Sequence, residues 1–119
     1  MSKRKILIID DEPEMGWIFS RVLEDFNCEV HVAKTGEEGI VRIQKDIPDL
    51  VFLDVKLPKM DGIETLSQIR TTHKDLLVIM LTAYETVKTA VEAMKLGAYD
   101  YLTKPIPNDR LKIIIEHAL

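Results

Sequence analysis

The strongest constraint on this chain is a rhythm of short apolar runs ending on polar residues, each followed by a longer segment of helical period. Lys5 to Ile9 reads KILII, Leu50 to Leu53 reads LVFL, and Leu77 to Leu81 reads LVIML. These runs do not alternate polar with apolar residues, so they suit strands covered on both faces. Glu29 to Ala33 and Tyr99 to Leu102 complete a set of five predicted strands. Between the first two lie Met15, Ile18, Phe19, Val22, Leu23 and Phe26, spaced as one face of an α-helix, with Pro13 suited to its first turn. Thr35 and Glu38 match a capping box at the start of a second helix, in which each satisfies the other's amide. Gly62 to Thr71 predicts a third helix. Val87, Ala90, Val91 and Met94 predict the inner stripe of a fourth, stopped by Gly97. Leu111, Ile114, Ile115 and Ala118 line a fifth that runs to the last residue. Strand–helix units repeated in this way imply a doubly wound α/β fold, a parallel sheet with helices on both faces.

Composition narrows the class. A chain of 119 residues fits one domain, spanning residues 1–119. With 46% hydrophobic and 30% charged residues it is too apolar for disorder. The apolar runs are far shorter than a membrane span, and the run before Asp10 is too short for a signal peptide, so the expected location is the cytoplasm with no membrane contact. The single cysteine, Cys28, excludes an internal disulfide or a multi-cysteine zinc site and reads as a small packing residue. A net charge of -4 lacks the basic footprint of a nucleic-acid-binding surface.

In open parallel sheets, sites form beyond the carboxyl ends of the strands. There the sequence places Asp10-Asp11-Glu12 after the first strand, Asp54 after the third, Thr82 after the fourth, and Thr103-Lys104-Pro105 after the fifth. Three carboxylates (Asp10, Asp11, Asp54), one hydroxyl and one ammonium are expected to converge. Crowded carboxylates raise one another's pKa, and a hard cation such as Mg²⁺ removes that penalty. An aspartate nucleophile beside a metal and a lysine suits phosphoryl transfer onto a carboxylate. Each residue alone has a plainer reading: Asp11 as a helix N-cap, Asp54 as a turn residue before Leu57-Pro58, Thr82 as a cap, Lys104 as a solvated lysine. The joint pattern carries the argument.

That pattern resembles the receiver domain of bacterial two-component response regulators. The matching stretches are Ile8-Ile9-Asp10-Asp11-Glu12-Pro13, Asp54-Val55-Lys56-Leu57-Pro58-Lys59-Met60-Asp61-Gly62, Met80-Leu81-Thr82-Ala83 and Gly97 to Pro105. The resemblance covers the whole chain and implies a five-stranded sheet of order 2-1-3-4-5, the flavodoxin-like arrangement. It also implies that Asp54 accepts a phosphoryl group from the phosphohistidine of a sensor histidine kinase. Asp11, Asp54 and the backbone carbonyl of Lys56 would hold Mg²⁺ (or Mn²⁺ in its place), with Asp10 acting through water. Lys104 would pair with the phosphoryl group and Thr82 would hydrogen-bond it. Tyr101 would be the aromatic switch that follows Thr82, and the Lys104-Pro105 peptide would be cis. The output surface would be the face of the fourth helix, fifth strand and fifth helix, which pairs in a homodimer on phosphorylation. Lys56 and Tyr84, each two residues past a site residue, lack the carboxylate or amide that would orient a hydrolytic water, which implies a slowly hydrolysing phosphoryl state.

Trp17, Lys56 and the Tyr99-Asp100-Tyr101-Leu102 run are most similar to receivers of the NtrC class, which precede an ATPase and a DNA-binding module. Neither module is in these 119 residues, so the chain is expected to be a receiver excised from a longer transcription regulator, with a stand-alone receiver as the alternative. Trp17 falls on the outer side of the first helix, where it either docks the kinase or covers a neighbouring loop. His31, His73 and His117 share no metal-ligand spacing. Lys56 and Lys59 read as solvated loop charge or as steering for an anionic donor. Two rival functions use similar parts. A haloacid-dehalogenase-type phosphatase separates its two aspartates by one residue, whereas Asp10 and Asp11 are adjacent. A flavin-binding module wraps phosphate in a Ser/Thr/Gly-rich loop, whereas Asp10-Asp11-Glu12 repels phosphate unless a metal intervenes.

Overall fold

The computed structural model describes residues 3–83 and 87–119. Its elements alternate as β1 (Arg4–Ile9), α1 (Glu14–Val22), a 3₁₀ turn (Leu23–Phe26), β2 (Cys28–Ala33), α2 (Gly36–Lys45), β3 (Leu50–Asp54), α3 (Gly62–Thr72), β4 (Leu77–Thr82), α4 (Val87–Lys95), β5 (Asp100–Thr103) and α5 (Asn108–Ala118). The strands form one parallel sheet in the order β2-β1-β3-β4-β5. Side chains of successive strand residues point to opposite faces. Ile6 and Ile8 therefore join Phe19, Phe52, Leu81 and Ile115 in a layer under α1 and α5. Leu7 and Ile9 join Leu53, Met80, Ile43 and Leu66 in a layer under α2 and α3. The central strands are buried on both sides, which is why their sequences show no alternation.

Several local expectations are corrected. The first helical stripe does not continue as one α-helix to Phe26. It tightens into the 3₁₀ turn after Val22 and ends on Asn27, whose φ of 52° lies in the left-handed region that asparagine tolerates. Leu23 stays buried and Phe26 packs against the core, so the spacing of apolar residues survived the change of helix type. The capping box is half formed: Thr35 accepts the Glu38 N–H, but the Glu38 carboxylate accepts the N–H of Lys34 instead of that of Thr35. Pro13 stands at the N-cap position of α1, so Asp11 does not cap it. β5 begins at Asp100, and Tyr99 is left largely exposed.

The stripe of α4 is also rotated from expectation. Ala93 is its fully buried residue, while Val91 and Met94 are 44% and 50% exposed. The helix approaches the sheet through its small residue and turns bulkier apolar side chains outward. The side chain of Val87 lies outside the described residues. Gly97, at φ 82°, ends the helix as the sequence implied. Beyond α4, Arg70 of α3 donates to the carbonyls of Leu96, Gly97 and His73, tying the end of α3 to the turn that leads into β5.

One glycine bears directly on the position of the sheet edge. A Cβ on Gly62 would stand 2.6 Å from the Cα of Val55 and closer still to the carbonyl oxygen of Asp54. The Gly62 N–H also donates to the Val55 carbonyl at 2.8 Å, so α3 begins pressed against the end of β3. Gly62→Ala should therefore destabilise the fold by at least about 2 kcal/mol, because backbone must move. Urea denaturation checks this; a loss of only a few tenths of a kcal/mol would show that the loop gives way easily.

Candidate functional site

The strand register gathers the predicted residues at one end of the sheet. Ile9 lies opposite Leu53, Asp54 opposite Leu81, and Thr82 opposite Thr103. Asp10 is kept in line by its N–H, which donates to the Ala33 carbonyl at 3.0 Å. The N–H of Lys104 donates to the carbonyl of Thr82 at 2.7 Å, which anchors the start of the next loop to β4. The Lys104-Pro105 peptide is cis, as the resemblance implied. Asp10, Asp54 and Thr82 are all buried, at 1%, 4% and 2% exposure. Buried charge needs partners, and here they are explicit.

Lys104 is the hub. Its Nζ donates to Asp10 Oδ2 at 2.6 Å, to Glu12 Oε1 at 3.1 Å and to Asp54 Oδ2 at 3.4 Å. The second oxygen of each buried aspartate is engaged by backbone: Asp10 Oδ1 accepts the Glu12 N–H at 2.9 Å, and Asp54 Oδ1 accepts the Lys56 N–H at 3.2 Å. Beside them opens a depression lined by Asp11, Glu12, Asp54, Lys56, Pro58, Ala83 and Lys104. Burial pushes the Asp54 carboxyl up to about 6, with help from the charge of Asp10 and against the pull of Lys104 and the Lys56 N–H. Burial would lower Lys104, but Asp10, Asp54 and Glu12 outweigh it and hold the ammonium above its ordinary range.

The donor set suits a hard cation. Ligand oxygens of Asp10, Glu12 and Asp54 lie within 4.8 Å of one another, and a divalent ion favours such oxygens. An Asp54 that resists ionisation beside Asp10 is the group such an ion would relieve. The structure brings Glu12 into this trio, whereas Asp11 is exposed and lines the depression beside it. Glu12 was legible only as the third acid after β1. Its clearest signal is its place two residues beyond Asp10, the spacing at which an aspartate accepts a backbone N–H.

The remaining candidates lie nearby or apart. Tyr101 is half-buried on β5, and its hydroxyl donates to Thr89 Oγ1 on α4 at 3.3 Å, a partner not anticipated from sequence. Trp17 is 63% exposed on α1, with the Arg21 guanidinium 5.0 Å from its ring centre. Tyr84 lies outside the described residues. Cys28 is half-buried with its thiol on the Phe26 carbonyl. His31 is held between Glu29 and Arg42 on β2, with no bond to the carboxylates around Lys104 among those described. No described helix is long and apolar enough to cross a membrane.

The raised Asp54 carboxyl has a consequence for stability. In the unfolded chain an aspartate titrates near 3.9, so between there and about 6 the folded state holds a proton that the unfolded state has lost. Stability from this group is present below the unfolded value and falls as pH rises through the window. Asp54→Asn should accordingly stabilise the metal-free protein at pH 8 by on the order of 2 kcal/mol, with the gain vanishing near pH 4. Urea denaturation at both pH values checks it; the same gain at pH 4 and pH 8 would contradict the electrostatic origin.

Comparisons with known proteins agree with this geometry. The family model described as the response regulator receiver domain matches residues 6–116. The transcriptional regulatory protein ZraR of Klebsiella oxytoca is 39% identical over 114 residues, which is 96% of this chain and 26% of that protein. The chain thus spans about a quarter of the length of such relatives. Among solved structures, the receiver domain of NtrX from Brucella abortus is 35% identical with a TM-score of 0.88, covering 96% of this chain and 97% of that one. The chemotaxis protein CheY4 of Vibrio cholerae is 28% identical with a TM-score of 0.90, covering 98% and 99%. Neither the phosphatase nor the flavin-binding alternative is favoured by these likenesses. A family match across nearly the whole chain, the sheet order 2-1-3-4-5 and relatives of the NtrC class together establish that this chain belongs to the response regulator receiver domain family.

Proposed function

We propose that this receiver domain is a switch charged by phosphorylation of Asp54, in the cytoplasm, with the phosphohistidine of a sensor histidine kinase as donor. The observation that carries the reading is the Lys104 ammonium within 3.4 Å of a buried aspartate at a carboxylate-lined strand edge. In the transfer, an Asp54 oxygen bonds to phosphorus as the phosphorus–nitrogen bond to the donor imidazole breaks, the electron pair leaving with the imidazole. Lys104 stabilises the negative charge on the transferring group, and the Thr82 hydroxyl donates to one of its oxygens. Asp11, Asp54 and the Lys56 carbonyl are the proposed Mg²⁺ ligands, Asp10 acting through water. Bound there, the ion would offset charge on the phosphoryl oxygens. The domain thereby catalyses its own phosphorylation.

The switch reads this charge through Thr82 and Tyr101. A phosphoryl group adds about -1.5 to -2 charge and three strong acceptors. Drawing Thr82 toward it would open space for the Tyr101 ring and change the tie between Tyr101 and α4. The face that would respond presents Val91, Met94, Tyr99 and Ile113, four exposed apolar side chains on α4, just before β5 and on α5. Exposed apolar side chains on a proposed output face suit a partner, here a second copy of the receiver. Trp17 is the proposed contact for the kinase. Residues 1–119 form one domain of a longer regulator, and its output is proposed to be transcription, as the name of ZraR says of that relative.

Incubation with a small acyl-phosphate donor followed by intact-mass measurement tests the reading. The chain should gain one phosphoryl group in Mg²⁺, little without it, and none as Asp54→Ala. An adduct that survives Asp54→Ala, or forms equally well without metal, would break the assignment. The adduct should also persist longer than in a Lys56→Asn, Tyr84→Glu double variant, followed by its loss of mass over time.

A further inference from the structure

The three carboxylates facing Lys104 are not equivalent. The side chains of Asp10 and Asp54 are 0% and 6% exposed, whereas that of Glu12 is 45% exposed. Asp10, Glu12 and Lys104 close a ring: the Glu12 N–H donates to Asp10 Oδ1, and Lys104 Nζ donates both to Asp10 Oδ2 and to Glu12 Oε1. An ammonium has three donors, and Asp10, Glu12 and Asp54 take all three. A cation arriving at the two buried aspartates competes with Lys104 for both of them. Glu12 is the one partner whose longer side chain, at the solvent edge, can follow the ammonium as it moves.

Resting on the reading of the site given above, we propose that Glu12 is a positioning residue for Lys104, which retains the ammonium at the strand edge when Asp10 and Asp54 turn to a divalent cation. An ammonium shared among three acceptors binds each of them less closely than one held by a single carboxylate. The Glu12–Lys104 pair therefore strengthens as the other two bonds are given up, and this gain offsets part of the cost of displacing Lys104. The role separates Glu12 from Asp11, which lines the depression without a bond to Lys104 among those described. Glu12 acts here through the lysine and needs no direct contact with the ion.

The test is calorimetric titration of Mg²⁺ alone into the full chain as wild type, Glu12→Gln, Lys104→Met and the double variant. Glutamine keeps the shape of the side chain and removes its charge. Glu12→Gln should weaken Mg²⁺ binding about three- to tenfold. In the Lys104→Met background the same change should shift it by less than about twofold, because the coupled partner is gone. Simple loss of negative charge near a cation site would weaken binding equally in both backgrounds, and that result overturns the proposal. Unaltered binding in Glu12→Gln also overturns it. Should Lys104→Met fail to fold, Lys104→Gln takes its place in the cycle. A wild-type chain that binds no Mg²⁺ overturns the reading of the site and this proposal with it, whereas either adverse result alongside wild-type binding removes only the role of Glu12.

Discussion

The structure turns on one electrostatic arrangement: carboxylates gathered at one end of a parallel sheet around the Lys104 ammonium. Like charges about 4 Å apart repel by about 4 kcal/mol in surroundings of intermediate polarity, so such a group does not assemble by itself. It is held because Asp10 and Asp54 are extensions of strands whose aliphatic side chains are already committed to two packed layers. Ile6 to Ile9 and Leu50 to Leu53 are buried almost completely, and removing a side chain of that size from water contributes roughly 1.5–3 kcal/mol each. The core thus holds the acids in a place they would otherwise leave. Lys104 relieves the repulsion, and the hydrogen bond from its own N–H to Thr82 keeps it within reach.

The same arrangement explains how a small event at the strand ends can be felt elsewhere. α3 starts against the carbonyl of Asp54 through Gly62, and Arg70 at its far end grips the turn after α4. α4 itself meets the sheet through Ala93 and reaches Tyr101 through Thr89. Among the described residues, its ties thus include a guanidinium on the turn just beyond its end and small side chains along its length. In the proposed switch this helix would take a second position, and a ligand shifts such an equilibrium only by its differential affinity for the positions. The exposed Val91 and Met94 lie on this helix, so a change in its placement would also change the apolar face presented to a partner.

Much of this was legible in the residues because burial on both faces leaves a plain mark. The three unbroken apolar runs became the three central strands, and the acids that closed them arrived at one edge. What escaped was set by packing, which sequence spacing does not encode. On α4 the largest apolar residues were expected to face inward, yet the interior there has room for Ala93, and Val91 and Met94 face out. On α1 the apolar spacing persisted while the helix tightened, because Leu23 and Phe26 reach the core from a 3₁₀ turn. At the site, Asp10, Asp11 and Asp54 all border the depression or Lys104, and the turn after β1 adds Glu12 as a partner of Lys104 that counting acids did not single out. Of the two neighbouring aspartates, Asp10 is buried against Lys104 and Asp11 is exposed at the depression.

That difference bears on the chemistry. Asp10 accepts from the Lys104 ammonium and the Glu12 N–H and would serve an incoming ion through water as Lys104 shifts, while Asp11 lines the open depression. Asp54 lies close to Lys104 but has a carboxyl that resists ionisation. As the proposed nucleophile, Asp54 must give up its proton to attack, so whatever lowers the local negative charge would also ready it to react. A cation held by Asp11 and Asp54 would do both at once: it would offset the field that raises the carboxyl and stand beside the group being transferred. On this reading the net charge of -4 is a poor guide to the protein. The relevant quantity is local, a few carboxylates crowded until a cation or the shift of one ammonium decides which of them is free.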